Sequence, residues 1–232
     1  MRDHLRCAAP SLVTYAALAC GFTAIVLAAE GHLGWAGLFI LIAYITDALD
    51  GFVARKLNAA SSFGLQLDSL ADVVDFGLAP VFLSYKHLQT TAAVPGWLAA
   101  PLGFLHIMGG TFRLARYNLL AAEKEGKSDQ TLGLTISTSG ALLTLAVLTS
   151  RVYLHVAGFL LLPAMVALPL LMVSRIRFPE SHVVLRGWRW NLTALAVGGA
   201  ASFIVTPQAV ALGLLMGYVA FGVLRAAYYA LV

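Results

Sequence analysis

The chain has 232 residues, of which 60% are hydrophobic and only 11% charged, and its mean hydropathy is +0.84. These values exclude a soluble globular domain and place the sequence among polytopic membrane proteins. The formal charge of +4 does not point to nucleic acid, because Lys and Arg are distributed as a membrane-topology signal.

A membrane span needs roughly 17–25 mainly apolar residues. Eight runs are candidates, at about 11–29, 33–57, 67–86, 93–117, 132–150, 153–174, 190–205 and 208–230. The first comes after Arg2 and Arg6 and so resembles a signal peptide in outline. Its apolar stretch is too long for one, and no persuasive cleavage site precedes Glu30, so it is expected as a retained span. Cys7 and Cys20 have neither metal nor redox spacing and read as small buried hydrophobes.

The second and third runs carry the most informative feature, four aspartates in membrane-length sequence. The string reads Asp47-x-x-Asp50-Gly51-x-x-Ala54-Arg55, eight residues, Gly64, three residues, Asp68, three residues, Asp72. An ionised carboxylate near a bilayer costs several kcal/mol unless a cation, a partner or a watery cavity receives it. Asp47 and Asp50 are three apart and Asp68 and Asp72 four apart, so each pair shares one helix face. A hairpin through Asn58–Phe63 brings the pairs to one depth. Four carboxylates that close repel one another unless divalent cations neutralise them. Oxygen ligands suit magnesium, manganese or calcium, and no Cys/His cluster competes for softer metals. Gly51 and Gly64 would let a phosphate or nucleotide approach the backbone, and Arg55 suits a phosphate oxygen.

The fourth run contains His106, read as a packing residue because no second His or Cys is spaced to join it. It also contains Gly109 and Gly110, which, like Gly198 and Gly199, read as close helix contacts. Arg113, Arg116 and Asn118 stand at its end. Glu123–Gln130 is either a cover for a cleft or a plain connector. Trp35, Trp97, Trp188 and Trp190 near run ends read as interfacial anchors. Arg175, Arg177, Arg186 and Arg189 fit topology or lipid headgroups.

With the N-terminus in the cytoplasm and eight spans threaded, Arg2, Arg6, Arg55, Lys56, Arg113, Arg116, Lys124, Lys127, Arg175, Arg177, Arg186, Arg189 and Arg225 lie inside. Only Lys86 and Arg151 lie outside. A split of 13 to 2 supports this orientation and puts the aspartates near the cytoplasmic face. The expected architecture is an all-α polytopic helical bundle with about eight transmembrane helices and both termini cytoplasmic. It is a single membrane domain over 1–232.

The aspartate string resembles the signature of the CDP-alcohol phosphotransferases, membrane enzymes that move a phosphoalcohol or phosphatidyl group from a CDP-linked donor to an acceptor hydroxyl. Every signature position is filled at the family spacing. Phe112-Arg113-Leu114-Ala115-Arg116-Tyr117-Asn118 is similar to a segment of the bacterial and archaeal phosphatidylserine synthase branch. So are Asp68–Val74 with Phe76-Gly77-Leu78-Ala79-Pro80, Met172-Val173-Ser174 with Ile176–Pro179, and Pro10, Thr14 and Gly21 of the opening run. These segments make 1–180 resemble the family core and leave 181–232 as two additional C-terminal spans. Asp75 stands where that branch usually has Ser, Ser11 replaces an Asn, and Gly133–Ser137 matches a Gly-Leu-Pro pattern loosely.

The resemblance implies a phosphatidyl transfer from CDP-diacylglycerol to the hydroxyl of L-serine, releasing CMP. Another acceptor, namely glycerol 3-phosphate, inositol or an inositol phosphate, is the alternative. It implies that Asp47, Asp50, Asp68 and Asp72 hold two divalent ions, Mg2+ or Mn2+, and that Asp72 is the base. Asp47, Gly51, Ala54, Arg55, Gly64 and Asp68 would bind the CDP portion. Arg113, Arg116 and Asn118 would take the serine carboxylate or a donor phosphate. A homodimer in the cytoplasmic (inner) membrane, with membrane lipids as partners, no nucleic acid and a cytoplasm-facing site, completes the expectation. A cation-coupled transporter is the distant rival, but no internal repeat or paired broken helices is found. Four aspartates in one hairpin argue against an intramembrane aspartyl protease.

Overall fold

The computed structural model describes residues 2–57, 62–91, 94–123, 130–153, 158–179 and 206–231. Lys124, Lys127 and the run 190–205 with Arg186, Trp188, Arg189, Trp190, Gly198 and Gly199 lie outside the described residues.

The described chain is helical apart from one short ribbon. The helices are α1 (Arg2–Ala29), α2 (Leu33–Leu57), α3 (Ser62–Asp72), α4 (Ala79–Thr91), α5 (Gly96–Glu123), α6 (Ile136–Val152), α7 (Gly158–Val173) and α8 (Pro207–Leu231). Between α3 and α4 the backbone does not break. It widens into a π-helical segment, Val73–Leu78, flanked by helical Asp72 and Ala79. The third run is therefore one continuous helix from Ser62 to Thr91 with an altered turn in its middle.

Local chemistry sets several boundaries. Gly31 ends α1 at φ +87°, with its N–H donating to Ala28 and the His32 N–H to Leu27 at 2.8 Å. This is the paired bonding that favours glycine after a helix. The α6 N-terminus is capped by Thr135, whose hydroxyl accepts from the Thr138 N–H at 3.2 Å. Such a cap satisfies a donor that the first turn leaves unpaired.

The ribbon joins the segments before α6 and after α7: β1 (Gln130–Leu132) runs antiparallel to β2 (Arg177–Pro179), with Thr131 opposite Phe178. The apolar runs do not predict it, and two three-residue strands leave almost no periodic signal.

α6 forms the centre, buried almost throughout from Ile136 to Ser150. Its Ser, Thr, Gly and Ala residues let α2, α4, the π segment, α7 and α8 pack closely around it. α1 lies along α2, and α5 lies along α7. At that second contact a Cβ on Gly109 would fall within 3.0 Å of Pro169, so Gly109 serves helix packing as expected. Gly110 does the same against Ile136. The core runs through Ile40, Phe76, Leu83, Leu143, Met165, Met172 and Phe178.

Large apolar side chains also cover the outside, among them Phe22, Phe104, Leu170 and Leu224. Leu12–Ala29 and Pro207–Tyr229 are long and apolar enough to cross a membrane, and Leu33–Ala48, Ile136–Val152 and Leu160–Val173 are shorter apolar helices.

Candidate active site

The aspartates meet where α2 faces α3. Asp47, Asp68 and Asp72 each offer a carboxylate oxygen, and these oxygens all lie within 4.8 Å of one another. All three side chains are half-buried. The cause is the spacing read from the sequence: Asp68 and Asp72 share a face of α3, and that face meets Asp47 of α2. Three carboxylates at this separation form an all-oxygen donor set that fits a hard divalent cation. The backbone of Asp50, Gly51, Ala54 and Arg55 continues α2 toward Leu57, and their side chains lie outside the described ones. Gly64 sits one turn before Asp68 in α3.

The π segment begins directly after Asp72. An added residue in one turn rotates the downstream residues relative to an α-helix, so Asp75 does not continue the Asp68–Asp72 face. Such segments recur at functional sites. Two glycines receive the wider turn. A Cβ on Gly21 of α1 would collide with Asp75 Oδ1, and one on Gly140 of α6 would fall 2.7 Å from the Phe76 carbonyl oxygen. Asp75 is 2% exposed, and its Oδ1 has no hydrogen-bond partner. His106 is also fully buried, beside the backbone of Phe76, and neither ring nitrogen makes a hydrogen bond of normal geometry. It is buried among the packed helices, as expected, but without the satisfied ring nitrogens that a packing histidine would have.

The three candidates on α5 separate. Arg113 is buried, within electrostatic reach of Asp72, with its guanidinium carbon 6.0 Å from the Tyr117 ring centre. Its Nε has no hydrogen-bond partner among the described residues. Arg116 is engaged elsewhere. It donates from Nη1 to the Val173 carbonyl at 3.0 Å and from Nη2 to Leu132 at 3.1 Å, Ser174 at 3.2 Å and Met172 at 3.4 Å. These carbonyls belong to the end of α7 and to β1, so the guanidinium joins them. Gly133, at φ +76°, makes room for this arrangement, since a Cβ there would collide with the Met172 oxygen. Asn118 donates to Ser69 Oγ at 3.0 Å, and Ser69 donates to the Leu65 carbonyl at 3.0 Å. Asn118 thus ties α5 to the residue next to Asp68.

Sequence reasoning missed Tyr44. It stands one turn before Asp47, lies near Thr138 of α6 and sets its ring edge-on to Phe76 at 6.0 Å. Thr138 in turn accepts from the Thr135 hydroxyl at 2.6 Å. The i, i+3 spacing of Tyr44 and Asp47 was the available signal, but nothing in the string marked Thr138 as its neighbour.

The helical bundle, the convergent carboxylates and the adjoining buried arginine define a class that sequence comparison identifies. The chain belongs to the CDP-alcohol phosphatidyltransferase family, which matches residues 7–225. Among curated proteins it is similar to a CDP-diacylglycerol–serine O-phosphatidyltransferase of Helicobacter pylori, 32% identical over 221 residues, or 93% of this chain and 90% of the relative. The protein of the same name from Bacillus subtilis is 33% identical over 186 residues, covering 78% of this chain and 98% of its own. An archaetidylserine synthase of Methanothermobacter thermautotrophicus is 33% identical over 176 residues, or 75% and 70% of the two chains.

Proposed function

We propose that this protein is a phosphatidylserine synthase, transferring the phosphatidyl group of CDP-diacylglycerol to the hydroxyl of L-serine with release of CMP. The observation that carries the reading is the meeting of Asp47, Asp68 and Asp72 beside a buried arginine, in a chain whose relatives are named for transfer to serine.

Asp72 takes the proton from the serine hydroxyl while that oxygen attacks the phosphorus bearing diacylglycerol. The bond to CMP breaks, and CMP leaves as the nucleoside monophosphate. A base needs hydrogen-bond reach to the proton it removes, and Asp72 faces the same space as the other two carboxylates. Arg113 holds an anion next to it, either the serine carboxylate or a donor phosphate, through the planar fork of its guanidinium. Gly51, Ala54, Arg55 and Gly64 frame the cytidine and its phosphates by family analogy. Asp47, Asp50, Asp68 and Asp72 would hold two divalent ions, Mg2+ or Mn2+. When bound, such ions neutralise charge on the attacking and leaving oxygens. Arg116 acts indirectly in this scheme, by fixing the end of α7 against β1, and Asn118 by fixing α3 against α5.

The same reading takes the protein as a multi-pass enzyme of the cytoplasmic membrane with eight spans, a core over 1–180, two further spans over 181–232 and a homodimeric state. The apolar exterior and the 13 to 2 division of cations support a cytoplasm-facing site. The test is CMP release by the purified protein with CDP-diacylglycerol, divalent metal and each acceptor in turn. Release that depends on serine, with phosphatidylserine formed, is the expected result. Release only with glycerol 3-phosphate, inositol or an inositol phosphate would overturn serine while keeping the chemistry, and no release with any acceptor would overturn the enzyme reading.

A further inference from the structure

A second polar site lies at the other end of the bundle. Trp35 stands twelve residues before Asp47 on α2, a rise of about 18 Å, and around it opens a groove of about 520 Å³. Gly31, His32, Gly34 and Trp35 form one wall, Arg151 of α6 and Gln208 of α8 the other, and Leu38, Leu41 and Leu148 continue it along the helices.

We propose that this groove binds the headgroup of a membrane phospholipid on the face opposite the aspartates, with Arg151 taking the phosphodiester and Gln208 accepting from the headgroup's own donor. Arg151 is exposed and makes no ion pair with a described residue. Its guanidinium lies against the first turn of α2 only because position 34 is glycine, where a Cβ would fall 2.8 Å from Nη1. Arginine offers a planar pair of donors that matches a phosphate edge. The topology also sets this residue apart: with Lys86 it is one of the 2 cations on the outer side against 13 inside, a placement that positive-inside sorting disfavours.

Gln208 supplies the second contact. Its Oε1 is buried without a hydrogen-bond partner, an acceptor that an ammonium or hydroxyl headgroup would satisfy. Below these groups the lining turns apolar. Trp35, Leu38 and Leu41 recur at three-residue spacing on one face of α2, and the indole of Trp35, 62% exposed, suits the headgroup depth of a bilayer. A polar end leading into an apolar track is the shape of a phospholipid and not of a soluble phosphodiester.

The test is native mass spectrometry of the detergent-solubilised protein titrated with phosphatidylethanolamine, phosphatidylcholine or soluble glycerophosphoethanolamine. The wild type should retain phosphatidylethanolamine in preference to phosphatidylcholine, which lacks an N–H donor. Arg151→Ala should weaken retention about tenfold, Arg151→Lys less, and Gln208→Leu should erase the preference between the two lipids. CMP release in detergent should be unchanged in all three variants, which also reports that they fold. If Arg151→Ala does not fold, Arg151→Lys against wild type carries the comparison. Equal retention by wild type and the arginine variants would overturn the site, equal retention of the two lipids by wild type would overturn the Gln208 contact, and tight binding of the soluble compound would overturn the lipid assignment.

Discussion

Replacing Arg116 by Ala should destabilise the fold and should not act as a selective defect in serine binding. The guanidinium reaches four carbonyls, three of them within 3.2 Å. Nη2 has only two hydrogens for its three acceptors, so two to three well-directed bonds are a fair count. Hydrogen bonds to charged groups contribute about 1.5–3 kcal/mol each, which puts the gross loss near 3–9 kcal/mol. Val173 is exposed and Ser174 half-buried, so water can replace part of it, and bonds inside membrane proteins measure lower than this range. About 2–4 kcal/mol remains. At about 2–4 °C per kcal/mol for a chain of this size, the thermal midpoint in detergent should fall by roughly 4–16 °C. Activity should drop through a lower kcat, with the serine and CDP-diacylglycerol KM values moving together. Arg116→Lys should recover little, because a single ammonium cannot span β1 and the α7 end as a planar fork does. An unchanged midpoint together with a serine KM raised tenfold, at constant donor KM, would refute the reasoning and return Arg116 to the substrate.

Asp72→Asn should leave a folded protein that still binds CDP-diacylglycerol, with CMP release reduced by about 10²–10⁴-fold; release above a tenth of wild type would remove Asp72 as the base. Chelation with EDTA should abolish release, and Mg2+ or Mn2+ should restore it. Restoration in Asp47→Ala or Asp68→Ala should need far more metal, and an unaltered metal dependence would dissociate these carboxylates from the ion. Gly21→Ala should cost about 1–3 kcal/mol by overpacking against Asp75, read as a lower thermal midpoint. Asp75→Ala in the same chain should recover most of that loss, since the severest contact is with its side-chain oxygen, and the absence of any rescue would show that the Gly21 notch serves another purpose.

The sequence made the helical class and the aspartate cluster legible because both depend on short-range geometry. Apolar run length marks helices in a membrane chain, and three- and four-residue spacing puts carboxylates on one face wherever the helix is regular. The same logic gave the glycine contact at Gly109, since a small residue in an apolar helix has little else to do. It did not separate Arg113 from Arg116. The two are three apart on α5 and identical in chemistry, and they are divided by the tertiary position of β1, 16 residues further along, and of the α7 end, 57 residues along. Pattern reasoning sees a cation near a helix end. It cannot see that four backbone carbonyls converge on one of them, because carbonyl groups are present at every residue and carry no sequence mark.

The π segment shows where local reasoning stops for a physical cause. A uniform α-helix would place Asp75 three residues beyond Asp72, close to the carboxylate face. Three acids would then crowd one stripe of this helix with Asp47 opposite. The wider turn moves Asp75 off that stripe and into the notch at Gly21, while Gly140 accepts the displaced backbone of Phe76. Three separate sequence features, an unexpected acid and two glycines in distant helices, thus have one structural cause. Each alone reads as ordinary, because an Asp near other Asp residues suggests another ligand and a glycine in a membrane helix suggests packing. Only the backbone registers that they compensate one another. Asp75 and Gly21 should therefore vary together, so that a Ser at the first position relieves the constraint on the second, whereas Gly140 faces main-chain atoms and should stay glycine whichever residue occupies 75.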